Sequence, residues 1–131
     1  MNVVDSSGWL EYFADGPNAA FFAKAIERSS DLVVPTVSVY EVFKRVLQQR
    51  GEGDALQAVA VMQQGLIAEL SGPVALTAAR LSVDLGLPMA DSIMLATARM
   101  WDATFWTQDS DFERLPGVKF VAKRAGRNAG K

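Results

Sequence analysis

The chain has neither cysteine nor histidine among its 131 residues. Without cysteine it has no disulfide, no thiolate metal site and no thiol nucleophile. Without histidine it has no imidazole general base, no Ser-His-Asp triad and no histidine-ligated zinc site. Any catalytic chemistry must therefore use carboxylate, hydroxyl, lysine or arginine groups. Oxygen-rich sites of that kind suit hard cations such as Mg²⁺ or Mn²⁺.

Long apolar runs are also missing. No run reaches the ~18 residues that a membrane-spanning helix needs. Residues 1–5 contain no basic segment and reach an acid at Asp5, which is unlike a secretory signal peptide. We therefore expect a cytoplasmic protein with no membrane association. Half of the residues are hydrophobic and 21% are charged, which suits one soluble domain of ordinary size.

Acidic residues are absent from the C-terminal end, although the whole chain carries a net charge of −2. All 15 acids lie in residues 1–113, whereas residues 114–131 contain only bases among their charged groups: Arg114, Lys119, Lys123, Arg124, Arg127 and Lys131. We expect a single domain over residues 1–122 and a basic tail over residues 123–131. Such a tail suits the phosphate backbone of a nucleic acid, and a solvated, frayed terminus is the alternative.

Short β-type runs alternate with longer helical patterns along the chain. Strands are predicted at 2–4, 32–34, 103–107 and 118–121, with a further short strand or connection at 66–70. Helices are predicted around 9–13 and at 18–28, 37–50, 54–64, 77–85 and 89–101, with one helical turn in 110–115. Strands separated by helices predict an α/β fold with a parallel sheet covered on both faces.

Four acids fall where such a fold would bring them together. Asp5 follows the first strand, Glu41 lies near the start of the helix after the second strand, and Asp109 follows the strand 103–107. Asp91 lies in the first turn of the helix that begins near Pro88. Since sites in parallel sheets form outside the carboxyl ends of the strands, we expect the four side chains to converge there.

Each of these acids also has a purely structural interpretation. Asp5 could cap the first helix, and residues 38–41 fit a capping box whose glutamate also lies four residues before Arg45. Asp91 would complement a helix dipole, and Asp109 could form a turn or cap a short helix. Taken one at a time, the acids do not distinguish structure from chemistry.

Taken together, the four acids indicate metal-dependent chemistry. Two carboxylates about 5 Å apart repel by roughly 3 kcal/mol at an effective dielectric constant near 20. In a cluster of carboxylates, a divalent cation or protonation must therefore reduce this repulsion. A bound cation lowers the pKa of water and stabilises an oxyanion, which suits the hydrolysis of phosphodiesters.

Four segments together resemble the PIN-domain family, and within it the VapC-type ribonuclease toxins of type II toxin–antitoxin pairs. They read NVVDSSGWLEYF, VPTVSVY followed by Glu41, ADSIMLATA and TQDSDF, and the resemblance covers nearly the whole chain in the family's order. It implies a three-layer α/β/α sandwich with a central, mainly parallel sheet. It also implies an Mg²⁺-dependent endoribonuclease, with Mn²⁺ as an alternative ion, which binds an RNA substrate and a cognate antitoxin and forms a homodimer.

The resemblance also implies roles for individual residues. The acidic quartet matches Asp5, Glu41, Asp91 and Asp109, of which the three aspartates would ligate the metal and Glu41 would act through water. Ser6 and Thr107 would hydrogen-bond a carboxylate or a metal-bound water, and Asp111 is a turn residue or an outer ligand. One departure concerns residues 39–40, which are Val and Tyr where the family often has a small or hydroxyl residue.

Two other functions are consistent with parts of the sequence. A catalytically inert PIN-like binding or scaffold module would keep the fold without the chemistry, although this chain retains all four acids. A haloacid-dehalogenase-like phosphatase would need an Asp-x-Asp pair after the first strand, and here Asp5 is followed by Ser6 and Ser7. The nuclease interpretation is therefore preferred.

Overall fold

The computed structural model describes residues 1–125. They form six helices and five strands in the order β1 (Asn2–Val4), α1 (Ser6–Phe13), α2 (Ala19–Ile26), β2 (Val33–Pro35), α3 (Thr36–Arg50), α4 (Glu52–Met62), β3 (Leu66–Ala68), α5 (Gly72–Leu85), α6 (Met89–Met100), β4 (Thr104–Thr107) and β5 (Val118–Phe120). Two short 3₁₀ turns lie at Ser29–Asp31 and Ser110–Phe112.

All strand pairs within residues 1–125 are parallel. β1 pairs with β4, β4 pairs with β5, and β2 pairs with β3. A single parallel bridge between Asn2 and Leu32 connects the first group to the second. The resulting order across the molecule is β3-β2-β1-β4-β5, which confirms the predicted parallel sheet.

The strands are buried on both faces. Val4 and Val34 pack into one core with helices α1 to α4, whereas Val3 and Val33 pack into a second core with α6 and part of α5. Because successive side chains of a strand point to opposite faces, adjacent valines enter different cores. The two cores and the sheet between them make the three-layer α/β/α sandwich, as expected.

Helix α5 begins five residues before its predicted start at residue 77. Ser71 caps it, and its Oγ accepts a hydrogen bond of 3.3 Å from the backbone N–H of Val74. Gly72 and Pro73 look like a turn in the sequence, but proline is tolerated in the first turn of a helix because no intrahelical partner is lost there. The helix ends at Gly86 with φ 69°, as predicted.

No single helix within residues 1–125 has both the length and the apolar character needed to cross a bilayer, and α5 with α6 meets that standard only as a pair bent by 117°.

After β5 the chain returns to the domain, where Arg124 Nε donates to Asn18 Oδ1 at 2.9 Å and Nη2 donates to the Pro17 carbonyl. The boundary at residue 122 stays a prediction. Residues 126–131, with Arg127 and Lys131, lie outside the described residues.

Helix α1 packs so tightly that its third residue must be glycine. A Cβ at Gly8 would lie 2.6 Å from Phe22 Cε1 and 2.8 Å from Val4 Cγ1. We expect Gly8→Ala to lower the free energy of unfolding, because overpacking costs about 1–3 kcal/mol and outweighs the helix-propensity gain of about 0.5–1 kcal/mol.

The matched control is Gly53→Ala in α4, where a Cβ would meet open space. We expect this variant to be stabilised by about 0.5–1 kcal/mol. Urea unfolding of both variants checks the pair. Equal stabilisation of the two would contradict the packing described for Gly8.

Candidate active site

The four predicted acids all lie at the carboxyl edge of the sheet. Asp5 directly follows β1, and Asp109 lies two residues after β4. Helix α3 leaves β2 at this edge and carries Glu41 in its second turn. Helix α6 runs towards the start of β4, so its own N-terminus, with Asp91, lies at the carboxyl edge.

Asp5 is a structural cap and a candidate ligand at once. The side chain is 3% exposed, and its Oδ1 accepts hydrogen bonds from Gly8 N at 2.8 Å and Ser7 Oγ at 2.9 Å. Its Oδ2 accepts from Thr107 Oγ1 at 2.6 Å. Since a carboxylate offers about four acceptor positions, one position on Oδ2 remains for a further partner.

Thr107 connects the first and last acids of the quartet. Its fully buried hydroxyl donates to Asp5 and accepts a hydrogen bond of 2.9 Å from the backbone N–H of Asp109. Asp109 Oδ1 in turn accepts from Asp111 N at 2.9 Å, which caps the 3₁₀ turn Ser110–Phe112. Asp111 therefore has a turn position, and its side chain is exposed.

Ser6, the residue after Asp5, contacts Glu41. Its Oγ donates to Glu41 Oε1 at 2.7 Å, and Met94 Sδ lies at 3.4 Å as a second acceptor. The hydrogen bond joins α1 to α3 across 35 residues of sequence. It leaves Glu41 Oε2 without a protein donor among the described residues.

The structural alternatives for Glu41 are wrong. Pro35, not Ser38, precedes the first helical residue of α3, and the cap has no side-chain hydrogen bond. Ser38 Oγ is buried without a partner among the described residues. Glu41 also forms no ion pair with Arg45, because the one ion pair within residues 1–125 joins Arg28 and Asp31 at 3.4 Å.

Burial and mutual repulsion raise the pKa of two of the acids. Desolvation raises the pKa of Asp5 to about 6, against the opposing hydrogen bonds from Thr107, Gly8 and Ser7. The pKa of Asp91 is also raised to about 6, first by desolvation and then by the charges of Asp109, Asp5, Glu41 and Asp111. The other acids are therefore close enough to Asp91 to disfavour its ionisation.

The donor set fits a hard cation that keeps much of its own water. Within residues 1–125, no three acidic side chains are grouped tightly enough to enclose an ion by themselves. Mg²⁺ dehydrates reluctantly and is commonly held through one or two carboxylates together with water and substrate phosphates. All the available donors here are oxygens, and the described residues place no basic group in an ion pair with them.

Two open cavities lie beside Glu41 and Asp109, and both are lined in part by Ser7. The Tyr40 cavity, of about 370 Å³, lies between α1 and α3, and its lining includes Glu41. The Phe120 cavity, of about 510 Å³, lies beside the end of β4, and its lining includes Asp109. Ser7 Oγ donates a hydrogen bond of 2.9 Å to Asp5 Oδ1, although Asp5 itself lines neither cavity.

A buried asparagine that the sequence analysis missed supports the loop before Asp109. Asn18 is 1% exposed, and its Nδ2 donates to Gln108 Oε1 at 2.9 Å and to the Ala122 carbonyl at 3.1 Å. Gln108 is itself buried and directly precedes Asp109. These partners are 90 and 104 residues away from Asn18, so no local pattern could have indicated them.

The fold and the site define an α/β/α protein with an acidic, oxygen-only site at the carboxyl edge of a parallel sheet. The chain belongs to the PIN domain family, which matches residues 3–118. No curated protein matches the chain.

Several solved structures share the fold. A toxin–antitoxin complex from Klebsiella pneumoniae is 19% identical, with a TM-score of 0.78 over 91% of this chain and 96% of that chain. VapC20 from Mycobacterium tuberculosis, described as a toxin that cleaves the sarcin–ricin loop, is 14% identical, with a TM-score of 0.72 over 86% and 93%. PAE2754 from Pyrobaculum aerophilum is 18% identical, with a TM-score of 0.72 over 92% and 83%.

The raised pKa values predict a pH-dependent stability in metal-free buffer. Burial raises the pKa of Asp91 in the folded state to about 6 from the ordinary aspartate value of 3.8, so the folded state binds the proton more strongly. Its contribution to stability is present below the unfolded pKa and is lost as the pH rises through about 6. Asp91→Asn stays neutral throughout and should raise Tm near neutral pH, with a smaller gain below pH ~4.5.

Thermal unfolding with EDTA at several pH values checks this expectation. Asp84→Asn, which removes an exposed carboxylate from α5, is the matched control and should show no such pH dependence. A stability difference between Asp91→Asn and the wild type that does not change with pH would contradict the electrostatic account.

Proposed function

We propose that the chain is a metal-dependent endoribonuclease of the VapC toxin type. The observation that carries the proposal is the convergence of four carboxylates from separate parts of the chain at the carboxyl edge of the sheet. The charges of the other three, Asp109, Asp5 and Glu41, act on Asp91 together with that of the neighbouring Asp111. No basic side chain within residues 1–125 forms an ion pair with these acids, and a divalent cation can compensate such like charges. The site lies where ligands of open parallel sheets bind.

The known relatives of the fold support the choice of substrate. VapC20 is described as a toxin that cleaves the sarcin–ricin loop, which is a segment of RNA. Other structures with this fold are toxin–antitoxin complexes. These proteins are less than 25% identical to the chain, so their likeness shows the fold alone. RNA cleavage by this chain is a proposal that rests on its site.

Each member of the site has a distinct task in the proposed reaction. Asp5, Asp91 and Asp109 would hold Mg²⁺ or Mn²⁺ together with water molecules and the substrate phosphate. The ion would supply charge stabilisation at the phosphate and lower the pKa of water. Ser6 fixes one oxygen of Glu41, and the other oxygen would orient the attacking water. Thr107 holds Asp5 and the backbone of Asp109 in a fixed relation.

An antitoxin partner is also part of the proposal, since several of the related structures are toxin–antitoxin complexes. A third cavity, of about 280 Å³, lies between α1, α3 and α4 and is lined in part by Leu10, Phe13, Val46 and Val61. An amphipathic partner segment could bury its apolar face there. Trp9, on the same face region of α1, does not contribute, because it is fully buried in the core.

The homodimer and the cytoplasmic location stay proposals. Helix α5 exposes Leu76 at 70% and Val83 at 84%. These two side chains, seven residues apart, lie on one side of the helix. They are apolar groups that a second copy of the chain could cover.

We expect Asp91→Asn to abolish metal-dependent cleavage of RNA. Loss of a direct ligand should reduce the rate by at least about 100-fold, because even the outer-shell partners of a metal cost 10–100-fold when they are removed. The purified chain is incubated with total RNA in Mg²⁺ or Mn²⁺, with EDTA lanes. Asp84→Asn removes the same charge elsewhere and should cleave like the wild type.

Metal binding is measured separately from activity. An ion that binds only the folded state stabilises it by RT ln(1 + [L]/Kd), about 2.7 kcal/mol when its concentration is 100 times Kd. Mn²⁺ should therefore raise Tm of the wild type and of Asp84→Asn, and raise that of Asp91→Asn much less. A folded wild-type chain that neither binds metal nor cleaves RNA would support the inert scaffold instead.

A further inference from the structure

We infer that Asn18 and Arg124 are positioning residues for Asp109, one of the proposed metal ligands. They act through Gln108, the residue between β4 and Asp109, by fixing the course of the backbone there. This inference rests on the proposed function, because it assigns a task to residues outside the acidic quartet. Of the three supporting residues, the sequence analysis considered only Arg124, as part of a basic tail.

Asn18 lacks the hydrogen bond that an asparagine usually makes at the start of a helix. It directly precedes the first residue of α2, where asparagine is favoured because its side chain accepts from a backbone N–H of the first turn. Here the cap has no side-chain hydrogen bond, although the side chain is 1% exposed. The buried amide therefore contributes to tertiary contacts and not to the capping of α2.

Both polar atoms of the Asn18 side chain are paired with distant residues. Oδ1 accepts from Arg124 Nε at 2.9 Å, and Nδ2 donates to the Ala122 carbonyl at 3.1 Å and to Gln108 Oε1 at 2.9 Å. A guanidinium can only donate and a backbone carbonyl can only accept, so Arg124 and Ala122 determine the orientation of the Asn18 amide. Gln108 must then present its oxygen to Nδ2, which fixes the orientation of its own amide.

Gln108 connects this contact to Asp109 through the backbone. Its side chain is 6% exposed, and the next backbone N–H, that of Asp109, donates to Thr107 Oγ1 at 2.9 Å. The backbone is therefore held on one side by the hydroxyl that binds Asp5 and on the other by the Gln108 side chain. Because each residue has two soft backbone dihedrals, loss of the second contact would let the Asp109 carboxylate move relative to Asp5.

Arg124 holds the segment after β5 against the same turn. Val121 N donates to the Thr107 carbonyl at 3.1 Å, which continues the pairing of β5 with β4 by one residue. Arg124 Nη2 donates to the Pro17 carbonyl, so the guanidinium binds two adjacent residues before α2. A lysine has a compact ammonium in place of the planar fork and cannot reproduce both contacts.

Amide hydrogen exchange in metal-free protein measures the support directly. Asn18→Ala should speed exchange at the N–H of Asp109 by roughly 3- to 10-fold, as expected for the loss of one hydrogen bond. The N–H of Asp5, which donates to the Trp106 carbonyl at 3.0 Å, is the internal reference and should not change. Arg124→Lys should speed exchange at Asp109 in the same direction, although it keeps the charge.

The matched control is Asn2→Ala. It removes a different long-range hydrogen bond from β4, the one that Trp106 Nε1 donates to Asn2 Oδ1 at 2.8 Å, at the opposite end of the sheet from the acids. Exchange at Asp109 should stay at the wild-type rate in this variant. Gln108→Met, which removes the acceptor and keeps a side chain of similar length, repeats the test where Asn18→Ala is too unstable to fold.

Calorimetric titration with Mn²⁺ connects the support to the proposed metal site. Asn18→Ala should weaken Mn²⁺ binding by about 10-fold, the lower end of the effect of outer-shell partners on metal affinity. Arg124→Lys should also weaken it, whereas Asn2→Ala should bind Mn²⁺ like the wild type. A role of Arg124 as a solvated charge predicts instead that Arg124→Lys behaves like the wild type.

The outcomes separate this inference from the proposed function. Unchanged exchange at Asp109 in Asn18→Ala, or an equal acceleration at Asp109 and Asp5, would overturn the positioning role whatever the activity of the wild type. Unchanged Mn²⁺ affinity in Asn18→Ala, with a wild type that binds the ion, would overturn it as well. A folded wild type that binds no Mn²⁺ would overturn the proposed function, while faster exchange confined to Asp109 would still support the contacts that hold it.

Discussion

The hydrogen bond from Thr107 Oγ1 to Asp5 Oδ2, 2.6 Å long, is the contact on which the candidate site depends. It joins the C-terminal ends of the adjacent strands β1 and β4, where an acidic residue follows each strand. A hydroxyl has one proton to donate and can also accept, and Thr107 uses both capacities because it also accepts from Asp109 N. One buried side chain therefore fixes the carboxylate of Asp5 relative to the backbone of Asp109.

Stability and function compete within the same carboxylate. Asp5 caps α1 through Oδ1 and is almost fully buried, yet its burial raises the pKa to about 6 despite three hydrogen bonds. Desolvation outweighs the hydrogen bonds, and the nearby charge of Asp109 adds to it. A fold selected for stability alone would place a neutral cap such as serine at this position. The retained charge is the kind of local conflict that marks functional sites.

Much of the fold could be predicted because local patterns and sheet topology agree. The bounds of β1, the start of α6 and the carboxyl-edge position of the four acids follow from β-type runs, a proline at the helix start and the rule for parallel sheets. The partners of those acids could not be predicted. Ser6 meets Glu41 across 35 residues and Asn18 meets Gln108 across 90, so these contacts depend on the packing of whole helices. The capping box at residues 38–41 was wrong because α3 begins earlier, at Thr36.

The structure explains how the chain accommodates Val39 and Tyr40, the two residues that depart from the family pattern. Successive residues of a helix point about 100° apart, so Val39, Tyr40 and Glu41 face three directions. Val39 packs against the core beside β2, and Glu41 points to Ser6. Tyr40 is left to face solvent in the cavity, on the same side as Lys44, which is one turn further along. A large aromatic residue at this position therefore leaves the placement of Glu41 intact and changes only the surface that a substrate meets.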